Sequence, residues 1–138
     1  MPDARFVYLS DVLPTSWQAV EYAGIPDGGS VAIFGLGPIG QMSSRIARHK
    51  GHRVIAVDLV PERLEMVRRH GIEVMDARDH DGNLPDAIRE MTDGRGPDSV
   101  IRRGRHGGAR LARREDCADD NGSLARLDRP DRHGQGRG

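Results

Sequence analysis

Two uninterrupted apolar runs, Val31 to Phe34 and Val54 to Val57, stand out in a chain whose hydrophobic and polar positions otherwise mix. Neither run alternates, which predicts strands covered on both faces, as at the centre of a parallel sheet. From Pro38 the period changes: Ile39, Met42, Ile46 and Lys50 fall on one helical stripe, and Gly51 supplies a left-handed stop before the second run. The rhythm then repeats. Pro61 opens a helix carrying Leu64, Met66 and Val67 and closed by Gly71, and Ile72 to Met75 reads as a third strand. Asn83 caps a helix holding Leu84, Ile88 and Met91, and Asp98 to Ile101 reads as a fourth strand. Upstream, Phe6 to Leu13 is a mixed apolar stretch, Pro14 to Ala23 reads as a helix with Trp17, Val20 and Ala23 on one face, and Pro26 to Ser30 is dense in turn formers. Strands alternating with helices imply right-handed crossovers, and hence an α/β fold with half of a doubly wound parallel sheet in the order 3-2-1-4.

Composition divides the chain. Its 21 basic and 21 acidic side chains cancel overall, but residues 102–138 hold ten Arg, seven Gly and only three large apolar residues, Leu111, Leu124 and Leu127. Such a segment cannot bury enough apolar area to offset its ordering entropy, so a disordered tail is expected beyond Ile101. Three regions follow: a lead-in segment and helix over 1–30, a nucleotide-binding half over 31–101 and the Arg/Gly-rich tail over 102–138. With no transmembrane run and no cleavable signal, the expectation is a cytoplasmic protein. Cys117 is the single cysteine, which excludes an intrachain disulfide and a cysteine-rich metal cluster.

The first apolar run ends in Gly35-Leu36-Gly37-Pro38-Ile39-Gly40, a G-x-G-x-x-G pattern opening a helix. In a dinucleotide-binding turn of the Rossmann type, Gly35 allows the tight bend, Gly37 lets the backbone approach a pyrophosphate, and Gly40 lets the helix pack close to the strand. Pro38 starts the helix and aims its unpaired N–H groups and positive dipole end at the phosphates. The second run ends in Asp58, 18 residues after Gly40, where a ribose hydroxyl would need an acceptor. An Asp here could instead simply cap the next helix. As a ribose acceptor it would repel the extra phosphate of NADP, and Leu59 beside it brings no positive charge, so NAD is the expected cofactor.

Residues 3 to 101 resemble the cofactor domain of the zinc-dependent, medium-chain alcohol dehydrogenase superfamily, in particular its formaldehyde dehydrogenase-like branch. The likeness is carried by Leu9-Ser10-Asp11-Val12-Leu13-Pro14-Thr15, the turn Gly35 to Gly40, and Val57-Asp58-Leu59-Val60-Pro61-Glu62-Arg63-Leu64. It implies hydride transfer between an alcohol or hydrated aldehyde and NAD, with a zinc ion polarising the substrate oxygen. By that resemblance Asp11 matches the last zinc ligand, Thr15 and Ile39 flank the nicotinamide, and Arg63 lies near the adenosine ribose. Full-length relatives are oligomers acting on small molecules. On its own residues Asp11 reads equally well as a solvated helix-start carboxylate, since a catalytic zinc needs three protein ligands. The family's other ligands, a Cys and a His, come from a substrate domain with no counterpart in this sequence; His49, His52 and His70 fall in or near helix ends, where a cation suits the terminal carbonyls, and His80, His106 and His133 lie in polar segments without a partner at ligand spacing. No catalytic residue is assigned to the chain.

The tail departs from the family after Ile101. Twenty Arg against one Lys suggest GC-rich coding, and one back-translation of Arg102 to Arg110, read one base later, gives Asp-Ala-Val-Gly-Met-Glu-Ala-His-Gly. That apolar string is similar to what the family carries after its fourth strand, so a frame-shifted tail is expected. Two functions compete: the cofactor-binding fragment of an NAD-dependent zinc-type dehydrogenase, and a non-catalytic nucleotide- or RNA-associated module with a basic tail. The absence of Phe, Tyr and Trp from the tail counts against nucleic acid. A membrane partner is not expected.

Overall fold

A computed structural model describes residues 6–80, 82–103 and 109–113. Helices α1 (Val7–Ser10) and α2 (Val12–Tyr22) lead into β1 (Ser30–Phe34), α3 (Pro38–His49), β2 (Arg53–Asp58), α4 (Pro61–Arg68) and β3 (Glu73–Asp76). A 3-10 turn over Ala77–His80 leads to α5 (Leu84–Met91), then β4 (Ser99–Arg103) and β5 (Ala109–Arg113). The sheet runs β3-β2-β1-β4-β5. Its first four strands are parallel in the order expected from the sequence. The fifth pairs antiparallel with β4, Ser99 opposite Arg113 and Arg103 opposite Ala109. Thus β4 runs two residues past Ile101, and 109–113, within the segment expected to lack structure, form an edge strand. The remainder of the expected tail, residues 104–108 and 114–138, lies outside the described residues.

The unbroken apolar runs are buried because each sheet face has its own cover. Val31 and Ile33 of β1 and Val54 and Ala56 of β2 pack with Ala19, Val20 and Ala23 of α2, Ile46 and Ala47 of α3, and Leu64 and Val67 of α4. On the opposite face Ile55, Val57 and Met75 meet Ala87 and Ile88 of α5. Glycines end α3 and the segment after α4 as expected: Gly51 and Gly71 both adopt positive φ, at 86° and 69°, a region that a side chain disfavours. Among the described residues no helix is long and apolar enough to cross a membrane.

Three faces differ from the periodicity. Trp17 is 46% exposed, and α2 instead buries Ser16, Ala19 and Val20; the indole lies 5.0 Å from Lys50 Nζ, which also pairs with Glu21. Met66 of α4 likewise faces out. In α3 the buried side is Gly40, Ser43, Ser44, Ile46 and Ala47, rotated away from the expected stripe. Small residues win there because α2 crosses closely: Ser16 Oγ donates to the Ile39 carbonyl at 3.2 Å, and Ser43 Oγ to the Ser16 carbonyl at 3.5 Å. At the other end of α2, Ser99 Oγ of β4 donates to the Ala23 carbonyl at 2.8 Å. Asp98 Oδ2 accepts from both Ser30 N (2.8 Å) and Ser30 Oγ (2.9 Å), fixing the start of β4 to the start of β1.

Candidate functional site at the carboxyl ends of β1 and β2

In a parallel sheet of this kind ligands sit beyond the carboxyl ends of the strands. There the backbone after β1 turns at Gly35, whose φ of 84° requires glycine. Gly37 then caps α3 in extended conformation (φ −69°, ψ −172°) and Pro38 occupies the first turn. Gly40 is under the tightest constraint: a Cβ there would stand 1.9 Å from the Gly35 carbonyl oxygen. A Cβ on Gly37 would point into open space, on the side where a ligand could approach the backbone. Among the described residues the N–H groups of Gly37, Ile39 and Gly40 have no acceptor. The first turn of α3 holds no acidic side chain, whereas α4 has Glu62 and α5 has Asp86. The end of α3 therefore keeps both its donors and its positive dipole uncompensated, an arrangement suited to an anion.

Asp58, the last residue of β2, is 8% exposed. Its Oδ2 accepts from Leu36 N at 2.5 Å, while Oδ1 accepts from Leu59 N (2.6 Å) and Val60 N (2.9 Å). The carboxylate thus joins the turn after β1 to the turn after β2; α4 starts after Val60 with no side-chain cap, so Asp58 holds the turn that precedes the helix and does not cap it. A carboxylate offers about four acceptor sites, so three bonds leave one for a ligand. Arg63 Nη1 stands 3.8 Å from Oδ2 and is half exposed. Gln41, not singled out from the sequence, donates from Nε2 to the Leu36 carbonyl (3.2 Å) and to the Arg63 carbonyl (2.9 Å). The signal available was its place one residue behind the third glycine, where a planar amide can reach both turns.

The other sequence-derived residues lie on α2 and its start. Thr15 precedes Ser16, whose hydroxyl holds the Ile39 carbonyl, so the lead-in helix is docked on the first turn of α3. Asp11 caps α2, is exposed, and accepts from Thr15 Oγ1 at 3.3 Å. Among the described residues no three His, Cys, Asp or Glu side chains are grouped to hold a metal ion, so the donor set present does not fit zinc. Cys117 lies outside the described residues. The clear electrostatic perturbation is elsewhere, at the end of β3, where the Arg78 guanidinium against Asp76 (2.6 Å) lowers that carboxyl to about 2. A cleft of about 830 Å³ adjoins it between α4 and α5, lined by Leu64, Met75, Asp76, His80 and Met91 among others.

Residues 38–106 match the family model described as zinc-binding dehydrogenase, which is half of the chain. The chain belongs to the zinc-type alcohol dehydrogenase family. It is 39% identical over 93 residues to a zinc-type alcohol dehydrogenase-like protein of Schizosaccharomyces pombe, covering 66% of this chain and 22% of that relative. Among solved structures it is similar to the alcohol dehydrogenase TADH of Thermus sp. ATN1, at 31% identity and a TM-score of 0.66, over 71% of this chain and 28% of that one. A second, described as an NAD-dependent alcohol dehydrogenase, matches at 26% identity and a TM-score of 0.58, over 64% and 26% of the two chains. The chain thus spans about a quarter of the length of the relatives it matches. This family membership and the parallel sheet agree with the resemblance noted from the sequence.

Proposed function

We propose that the chain is the NAD-binding fragment of a zinc-type alcohol or aldehyde dehydrogenase, its nucleotide site built within residues 31–101. The observation that carries this reading is the set of N–H groups at Gly37, Ile39 and Gly40 that have no acceptor among the described residues, at a helix end without acidic residues and beside the open space over Gly37. Bound there, NAD would supply a nicotinamide ring able to accept hydride from a small alcohol or hydrated aldehyde. The residues of this chain would do the holding. Gly35, Leu36, Gly37, Pro38, Ile39 and Gly40 form the pyrophosphate turn, Asp58 offers its remaining acceptor site to a ribose hydroxyl, and Arg63 adds a cation at the rim. Thr15, on the helix docked against Ile39, belongs to the nicotinamide side by resemblance. A negative charge at Asp58 disfavours a second phosphate on the ribose, so NAD is preferred over NADP.

Asp11 is the position that corresponds to a zinc ligand in the resemblance, and one carboxylate does not assemble a zinc site. No reaction step is assigned to zinc in this chain. The cellular setting we propose is the cytoplasm. Titration of the 138-residue chain with NAD and with NADP tests the reading. Saturable binding that favours NAD and that Gly37→Val abolishes is the expected result; equal, weak and substitution-insensitive responses to both would sink it.

A further inference from the structure

The contacts at the nucleotide turn close into a ring. Leu36 N donates to Asp58 Oδ2, the Leu36 carbonyl accepts from Gln41 Nε2, the same amide donates to the Arg63 carbonyl, and the Arg63 guanidinium returns to Asp58 Oδ2. Both N–H bonds of the Gln41 amide are committed, one to each turn. Holding both carbonyls at once takes a side chain with at least two donors and this reach; a carboxylate would face two acceptors and an alkyl chain would hold neither.

We propose that Gln41 is a positioning residue for nucleotide binding. It holds the first turn of α4 against the turn after β1, so that the Arg63 cation and the last acceptor of Asp58 stand beside the free N–H groups of Gly37, Ile39 and Gly40. The ligand class is an adenine nucleotide with a free ribose diol and two or more phosphate charges: donors meet the phosphates and the Asp58 carboxylate meets the diol. Binding is expected to suffer beyond any loss of stability, because Arg63 and its carbonyl lie at the surface where water can replace the amide, whereas the buried Leu36 carbonyl loses its partner at some cost to folding. The inference rests on the nucleotide-binding reading above.

The test uses ADP as probe and calorimetric titration of the full chain, Gln41→Met, Arg63→Met and the double variant. Gln41→Met is expected to weaken ADP about tenfold, as two lost hydrogen bonds would allow. If Gln41 acts by placing Arg63, the double variant binds hardly worse than either single one, a coupling that a general loss of stability would not produce. Should Gln41→Met fail to fold, Gln41→Asn keeps the amide but cannot span both carbonyls, and the same weakening is expected. No ADP binding by the unsubstituted chain would overturn the functional reading and this inference together. Binding that a folded Gln41 variant leaves unchanged, or losses that add in the double variant, would overturn the inference alone.

Discussion

Three successive strands of the sheet end in three different turns. After β2 and β3 the last strand residue is an aspartate that folds back on its own turn: Asp58 Oδ1 accepts from Val60 N at 2.9 Å and Asp76 Oδ1 from Arg78 N at 2.9 Å. Each closes the backbone donors that follow it, the first in a buried setting and the second at the surface. After β1 the equivalent stretch has glycines and no acid, and the N–H groups of Gly37, Ile39 and Gly40 have no acceptor among the described residues. The same local topology therefore gives two self-satisfied turns and one whose donors have no acceptor among the described residues. What separates them is whether the chain brings its own carboxylate.

The sharpest way to break this contrast is to fill the close approach behind the open turn. Gly40→Ala places a methyl group 1.9 Å from the Gly35 carbonyl oxygen, so α3 must move; a destabilisation of about 3 kcal/mol is expected in denaturant unfolding. A folded Gly40→Ala chain of unchanged midpoint would show that helix and strand are not held as described. Removing the carboxylate that closes the second turn comes next. Asp58→Ala strands three N–H groups, at Leu36, Leu59 and Val60, and is expected to cost about 2 kcal/mol together with NAD binding. A variant that keeps its stability would mean the carboxylate serves the ligand and not the turns.

Gly37→Ala should dissociate the two properties. Its φ of −69° suits any residue and its Cβ meets nothing, so stability should stay within about 0.5 kcal/mol while NAD binding falls. Equal losses of both would remove the distinction between open and closed turns. The smallest effect is at β3. Asp76 has a carboxyl lowered from 3.8 to about 2, through its bonds to the Arg78 side chain and then the Arg78 backbone N–H. Because the folded value lies below the unfolded one, the stabilising contribution is present above about pH 4 and disappears as pH falls through about 2. Carbon NMR titration of the Asp76 carboxyl should show the low midpoint, with Arg78→Ala returning it toward the ordinary value.

The parallel order and the bend at Gly35 were legible because each is written in local chemistry: unbroken apolar runs, and a glycine where φ must be positive. Helix faces were less legible. A hydrophobic stripe through Ile39, Met42 and Ile46 is a sound amphipathic reading, and Ile46 is buried with Met42 packed against the core, yet the buried side also takes in Ser43, Ser44 and Ala47 where α2 crosses closely, and periodicity cannot register how near a neighbouring helix comes. Trp17 misled for a related reason, since its ring tolerates a cation and stays half exposed with the Lys50 ammonium over it. Strand β5 lies in sequence too Arg-rich to announce itself, and its backbone pairing with β4 needs no apolar run. At the site, Asp58 was legible by spacing, but its service to three backbone donors was not, because bonding to Leu36 crosses 22 residues. Gln41 offered only its place behind the third glycine as a signal, because its bond to the Arg63 carbonyl also crosses 22 residues.

The bond from Ser99 Oγ to the Ala23 carbonyl spans 76 residues and joins the first long helix to the last parallel strand. During synthesis α2 leaves the ribosome well before β4 exists, and contacts of such long separation must wait until the intervening chain is made and its closure entropy has been met. Until then the carboxyl end of α2 has its surface pairing of Glu21 with Lys50 but not its tie to the sheet, and the slot beside β1 that Val100 and Ile101 will fill stands open. The bonds of Ser16 to the first turns of α3 can form with the crossover, and only the tie at the far end of α2 has to wait for β4.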